Sequence, residues 1–246
     1  MKKLLTMFCL LVFCELTLVQ RVLAQDNITP YNTDLSIGVN FNTMAGWLGG
    51  VNGKYSIHRK KNNYQTFWAE VTNIKHPKED SRPALATGET YTPGKLNYLV
   101  MLRTHYGREW ILFRPMPEQG VQINWINTIG ATIGLEIPYY IDYVTLNNPS
   151  VLITERYNPA TLPSFDAVVR SKGMFGNGLQ ELSFVPGASL RSSVSFRFGA
   201  FGGTAVGLEG GICVDVMSRP IQMMAFAPSQ QIYQTFFLTL FYSFYD

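Results

Sequence analysis

Apolar and polar side chains alternate along much of this chain. Residues 35–42 place Leu35, Ile37, Val39 and Phe41 on one face and Ser36, Gly38, Asn40 and Asn42 on the other. Residues 188–198 repeat the pattern, with Ala188, Leu190, Ser192, Val194, Phe196 and Phe198 opposing Ser189, Arg191, Ser193, Ser195 and Arg197. In 206–216, Val206, Leu208, Ile212, Val214 and Val216 oppose Gly207, Glu209, Gly211, Cys213 and Asp215. In 236–244, Phe236, Leu238, Leu240, Tyr242 and Phe244 oppose Phe237, Thr239, Phe241 and Ser243. A period of two is that of a strand whose faces meet different surroundings. Weaker alternation marks further strands at 50–59, 64–74, 95–105, 109–114, 120–128 and 132–146.

The connections fall into two classes that also alternate. Short ones sit at 60–63, 106–108, 129–131 and 200–203; longer ones sit at 43–49, 75–94, 115–119, 147–185 and 218–231. Short turns at one rim and longer loops at the other are the layout of a membrane barrel. The pattern therefore predicts an all-β, closed, antiparallel, up-and-down transmembrane barrel of about ten strands. Merging 109–114 and 120–128 into a loop would reduce the count to eight.

The polar face separates this reading from a soluble sandwich. A sandwich turns its polar face to water, where Lys and Glu abound. These faces instead carry Ser, Gly, Asn and Thr with scattered Arg and Glu, which suits the filled interior of a narrow barrel. Glu70, Arg103, Glu136, Arg191, Arg197, Glu209 and Asp215 all fall on the predicted inward faces, with bulky Trp68, Phe237 and Phe241. Opposite charges enclosed there are expected to pair, Arg197 lying diagonally from Glu209, because an unpaired buried charge is costly. The lumen is thus expected to be plugged, and a wide pore is excluded by strand number.

Composition sharpens the compartment. Charged residues make up 15% of the chain and aromatic residues 13%, against roughly 25% charged in ordinary globular proteins. Lys2 and Lys3, the apolar run from Leu4 to Cys14 and Val22-Leu23-Ala24 form a secretory leader, with cleavage expected after Ala24. This assigns residues 1–24 to a signal peptide and 25–246 to the barrel, directed to the outer membrane. Removing Lys2, Lys3, Arg21 and Glu15 from 20 basic and 17 acidic residues leaves a nearly neutral chain, without the basic excess that nucleic-acid binding requires. Cys213 is the lone cysteine after the leader, so no disulfide within the chain and no thiolate metal cluster is expected. The final Phe-Tyr-Ser-Phe-Tyr-Asp matches, loosely, the aromatic last strand by which barrel precursors are recognised.

Several local motifs add a resemblance. They are Asn73-Ile74-Lys75-His76-Pro77-Lys78-Glu79, Gly94-Lys95-Leu96-Asn97, Leu102-Arg103 with Tyr106-Gly107-Arg108, Gly120-Val121, Glu181-Leu182 with Pro186-Gly187, Met224-Ala225 and Phe236-Phe237-Leu238-Thr239. With these, the chain resembles a family of outer-membrane barrel proteins of the Bacteroidota that carries no assigned activity. The resemblance spans most of the chain after the leader and implies the same fold. Ala131 stands where a turn-forming Pro is expected, and 147–185 diverges.

Catalytic chemistry is poorly represented. His58, His76 and His105 are the available histidines, and none lies two residues from an Asp. His105 is expected inside the barrel without a Ser neighbour, and His76 is expected to be a solvated loop residue. A nucleophile paired with an oriented base is therefore not legible, and no cofactor is implied. The long segment 147–185 carries Tyr157, Phe165 and Phe175, which makes it a candidate binding cap. The expected partners are outer-membrane lipid and other envelope proteins, with no nucleic acid. A structural or partner-binding barrel is the leading reading; a narrow transporter and a lipid-modifying enzyme using His76 or His105 are the alternatives.

Overall fold

The computed structural model describes residues 31–60, 62–84, 87–113, 121–160, 167–201 and 203–246. The expected signal peptide and Phe165 lie outside them, and the side chain of Phe175 is not described. In chain order the strands are β1 (Thr33–Asn42), β2 (Gly46–Lys60), β3 (Asn63–Ile74), β4 (Arg82–Pro83) and β5 (Thr90–Tyr91). Next come β6 (Asn97–Phe113), β7 (Val121–Pro138), β8 (Tyr140–Thr145), β9 (Asn148–Arg156) and β10 (Ala167–Lys172). A 3-10 turn at Phe175–Glu181 leads into β11 (Ser183–Phe201), β12 (Thr204–Ile221) and β13 (Gln230–Tyr245).

Eight of these close a barrel in the order β1-β13-β12-β11-β7-β6-β3-β2, every pair antiparallel. The seam joins the first strand to the last, with Ser36 opposite Ser243 and Asn40 opposite Thr239. The start of β1 and the end of β13 therefore meet at one rim, where Asp246 N donates to Thr33 O (3.1 Å). Connections at this turn end include 61–62 and 202–203, while the loop end carries 75–96, 139–182 and 222–229. The connection expected as a longer one at 43–49 shrinks to 43–45 at the loop end, and the one expected at 115–119 joins β6 to β7 at the turn end, against the expected separation of long from short.

The count of ten is corrected to eight, though not by the predicted merger. Segments 95–105 and 109–114 are one strand, β6, and 120–128 continues into β7. Gly107 and Gly130 had signalled turns, yet both sit inside the sheet. A Cβ on Gly107 would lie 2.0 Å from Asn127 O, and one on Gly130 would lie 1.9 Å from Thr104 O. Glycine here permits close passage of neighbouring backbones. Ala131 likewise lies mid-strand between Thr104 and Ala188, where Pro would remove a ladder hydrogen bond.

The expected strand 132–146 is corrected too. It ends at Pro138, and the chain turns outward at Tyr139. β8 then enters a separate sheet of order β10-β8-β9 at the loop end, so 147–185 contains ordered strands. Gly173 N donates to Tyr140 O (2.8 Å), bringing the two ends of this appended sheet together.

The barrel's outer surface is apolar on every strand. Ile37, Val51, Phe67, Tyr106, Ile129, Leu190, Ile212 and Leu240 are all exposed. Its inner surface is polar over the middle of the strands: Ser36, Asn40, Asn52, Lys54, Thr66, Glu70, Arg103, Ser193, Glu209 and Thr239 are buried. This inverts the usual rule that buried means apolar.

Candidate functional site

Three layers fill the barrel, each placed by the parity of the strands. At the loop end, Ile74, Leu99, Met101, Val185, Met217, Ile221 and Tyr233 point inward and form one apolar cluster. The connection 222–229 folds over them and adds Met223, Met224 and Ala227. Backbone hydrogen bonds hold it: Leu96 N donates to Met223 O (2.8 Å) and Ala225 N to Gly94 O (2.8 Å). Met is suited to this position because its unbranched chain fills irregular space.

Below the plug lies a network of buried ions. Arg103 grips Asp215 with both Nε (3.0 Å) and Nη2 (2.7 Å), the paired geometry that gives the strongest charge-assisted contacts. Thr132 Oγ1 donates to the same carboxylate (3.0 Å). Glu70 bridges Arg191 (3.1 Å) and Arg103 (3.5 Å), and also accepts from Asn40 Nδ2. The other end of the Arg191 guanidinium reaches Glu209 (3.0 Å), which accepts from Ser193 Oγ (2.7 Å). Arg191 lies between two rings, its Cζ 3.6 Å from the Phe237 centroid and 4.0 Å from that of Trp68. Five charged residues drawn from β3, β6, β11 and β12 thus tie the walls together.

A second ion group sits nearer the turn end. Lys54 Nζ lies 3.0 Å from Glu109 and 3.9 Å from Asp34, and Arg197 Nη2 lies 2.5 Å from Asp34. Glu109 also accepts from Ser56 Oγ (3.1 Å). The expected diagonal pairing of Arg197 with Glu209 is therefore corrected: Glu209 is taken by Arg191. Glu136 is half-buried at the loop end, where it meets Arg219 (2.6 Å) and Asn97 (2.9 Å) and takes no part in the deep network.

Sequence reading missed Asp34, Lys54 and Glu109. Asp34 lies one residue before the recognised strand, and Glu109 followed an assumed turn. Their parity gave the available signal: Asp34 shares a face with Ser36, and Lys54 with Asn52 and Ser56.

The histidines also depart from expectation. His105 Nε2 lies 2.5 Å from Ser189 Oγ, although β7 separates their strands. Gly130 stands between them in register and, lacking a side chain, leaves the His105 ring room to reach across. Among the described residues His105 Nδ1 has no hydrogen-bond partner, so none of their carboxylates orients this pair as in a catalytic triad. His76 is buried, with Nδ1 accepting from Lys78 N (3.1 Å); it shapes a loop and is not solvated. Among the described residues no group of His, Cys, Asp and Glu is arranged to hold a metal ion.

Outside the barrel, the loop end is organised by tyrosines. Tyr139, Ile141, Tyr143, Tyr157 and Val169 make a second apolar cluster beneath the appended sheet. Tyr157 is buried there and its hydroxyl accepts from Gly94 N (3.1 Å). Tyr157, expected as a candidate binding residue of the cap, is thus an internal strut of it. Lys95 pairs with Glu79 (2.6 Å) and lies over the Tyr98 ring (4.1 Å). Burial holds its amine below the ordinary lysine range, against the opposing pull of Glu79.

No protein-family model matches the chain, and the search of curated proteins found no match. Among solved structures, it is similar to Neisserial surface protein A, with 8% identity, a TM-score of 0.41 and coverage of 86% of this chain and 94% of that one. It is also similar to Ail, the attachment invasion locus protein of Yersinia pestis, solved with a heparin analogue. That match has 8% identity and a TM-score of 0.40, covering 89% of this chain and all of the other.

Proposed function

We propose that the protein is a small outer-membrane barrel with a closed lumen, serving as a structural or partner-binding component of the envelope. The observation that carries this reading is the inversion of polarity between its surfaces. Apolar side chains facing outward around a closed ring of strands suit lipid, where every backbone polar group must be satisfied within the sheet. The barrel strands run from 10 to 19 residues, enough for the 9–11 or so that a tilted strand needs to cross. The resemblance to Bacteroidota barrels and the leader-like first residues support the same location.

The filled interior favours a structural or binding role over conduction. An eight-stranded barrel is about wide enough for its own side chains. Here those side chains are paired ions, below a plug of methionine and aliphatic groups. Function then falls to the parts outside the wall, above all the appended sheet of β8, β9 and β10. Two measurements test this. In planar bilayers the refolded protein is expected to give no steady conductance; stable single-channel steps would favour the narrow transporter. Solubilised from its native envelope in mild detergent, it is expected to retain a partner, and an unaccompanied monomer would contradict the binding role.

A further inference from the structure

A concave site lies outside the lumen, where β2, β3 and β6 meet the turn end. It encloses about 480 Å³ and is lined by Arg59, Lys60, Asn63, Gln65, Tyr106 and Arg108. Register explains the convergence: Gln65 lies opposite both Ile57 and Arg108, and Phe67 opposite Tyr106. The wall is hydrogen-bonded, since Arg59 Nε donates to Gln65 Oε1 (2.6 Å) and Gln65 Nε2 donates to Tyr106 Oη (2.6 Å).

The charge of this site is unbalanced. At the loop end the exposed cations Arg82, Arg156 and Arg219 each meet a carboxylate. Arg59, Lys60 and Arg108 meet none among the described residues. Three converging cations with a phenol and an amide are suited to phosphate oxygens.

Its level on the barrel selects the source of that phosphate. The Tyr106 ring packs beside Phe67 (5.2 Å between centroids), and Trp110 packs beside Trp125 (5.4 Å) two outward positions further toward the turns. Outward aromatic rings of this kind mark the interface between hydrocarbon and headgroups. In register Arg108 lies between Tyr106 and Trp110 on β6, and Lys60 pairs with Asn63, itself opposite Trp110, which puts the cations at the level of these rings. We propose that this pocket binds the phosphate headgroup of an anionic lipid in the leaflet at the turn end of the barrel. The inference rests on the outer-membrane reading above and goes beyond it by assigning a lipid site.

The test uses the leaderless chain folded in detergent micelles, with phosphatidylglycerol, phosphatidylcholine and inorganic phosphate as probes. Native mass spectrometry is expected to show retained phosphatidylglycerol in preference to phosphatidylcholine. The variant Arg59→Gln with Arg108→Gln is expected to weaken retention roughly 30-fold, near fivefold for each cation removed. A control, Arg82→Gln with Lys172→Gln, changes exposed loop-end cations and should retain the lipid. Equal retention by the Arg59/Arg108 variant, or no preference between lipids, overturns the site. Competition by millimolar inorganic phosphate would assign the pocket to a soluble anion and overturn the lipid source. A heat-dependent gel shift is read on each sample: its presence with no lipid preference rejects the site alone, and its absence from the unsubstituted chain rejects the barrel reading.

Discussion

Arg191 concentrates the physics of the interior. Its guanidinium meets Glu70 and Glu209 while lying between Trp68 and Phe237. Among the described residues, removing it would leave Glu209 with Ser193 as its remaining side-chain partner, whereas Glu70 keeps Arg103 and Asn40. Breaking a buried pair on one side costs about 3–5 kcal/mol, more than the pair itself contributes. Arg191→Met is therefore expected to lower the stability of the vesicle-embedded protein by about that amount, read from its urea unfolding midpoint. Adding Glu209→Gln should recover part of the loss by removing the stranded charge. An unchanged midpoint for the single variant would show that the network does not brace the wall.

At the scale of elements, the appended sheet is separable from the barrel. Its two ends meet at Tyr140 and Gly173, so excising 141–172 and joining the ends leaves all eight barrel strands intact. The shortened protein is expected to keep its heat-dependent gel shift and to lose any partner retained by the full chain. Loss of the shift would show that the sheet is needed for closure. This division was only partly legible in the sequence. Strands β1, β11, β12 and β13 are legible in their alternation because one face is large and apolar and the other small and polar. The sequence divides β6 and β7 each in two because glycine carries two meanings, a turn or a close backbone approach. Parity held the answer: Arg103 and His105 before Gly107 and Glu109 after it are all buried on the same face of β6, in phase. A turn would have had no reason to preserve that phase. The loop sheet was hidden because β9 is exposed along nearly all its length, so it lacks the apolar face on which alternation depends. Contacts such as His105–Ser189 join residues on strands far apart in sequence, and no spacing rule reaches that distance.

The whole molecule presents apolar side chains outward around a core of paired ions. For a water-soluble protein this would be doubly unfavourable, exposing hydrocarbon to water while removing ions from it. In a bilayer both choices become reasonable, because lipid covers the outer face and the sheet encloses the charges. The eight-strand ring then accounts for the narrow lumen, the shared rim of Thr33 and Asp246 and the placing of the three longest connections between barrel strands at the other rim. The most direct test of this account is envelope fractionation followed by electrophoresis with and without boiling. The account predicts that the protein is found in the outer-membrane fraction and migrates faster unboiled, as a compact barrel that resists detergent. Recovery as a soluble periplasmic protein whose mobility is unchanged by heating would contradict it.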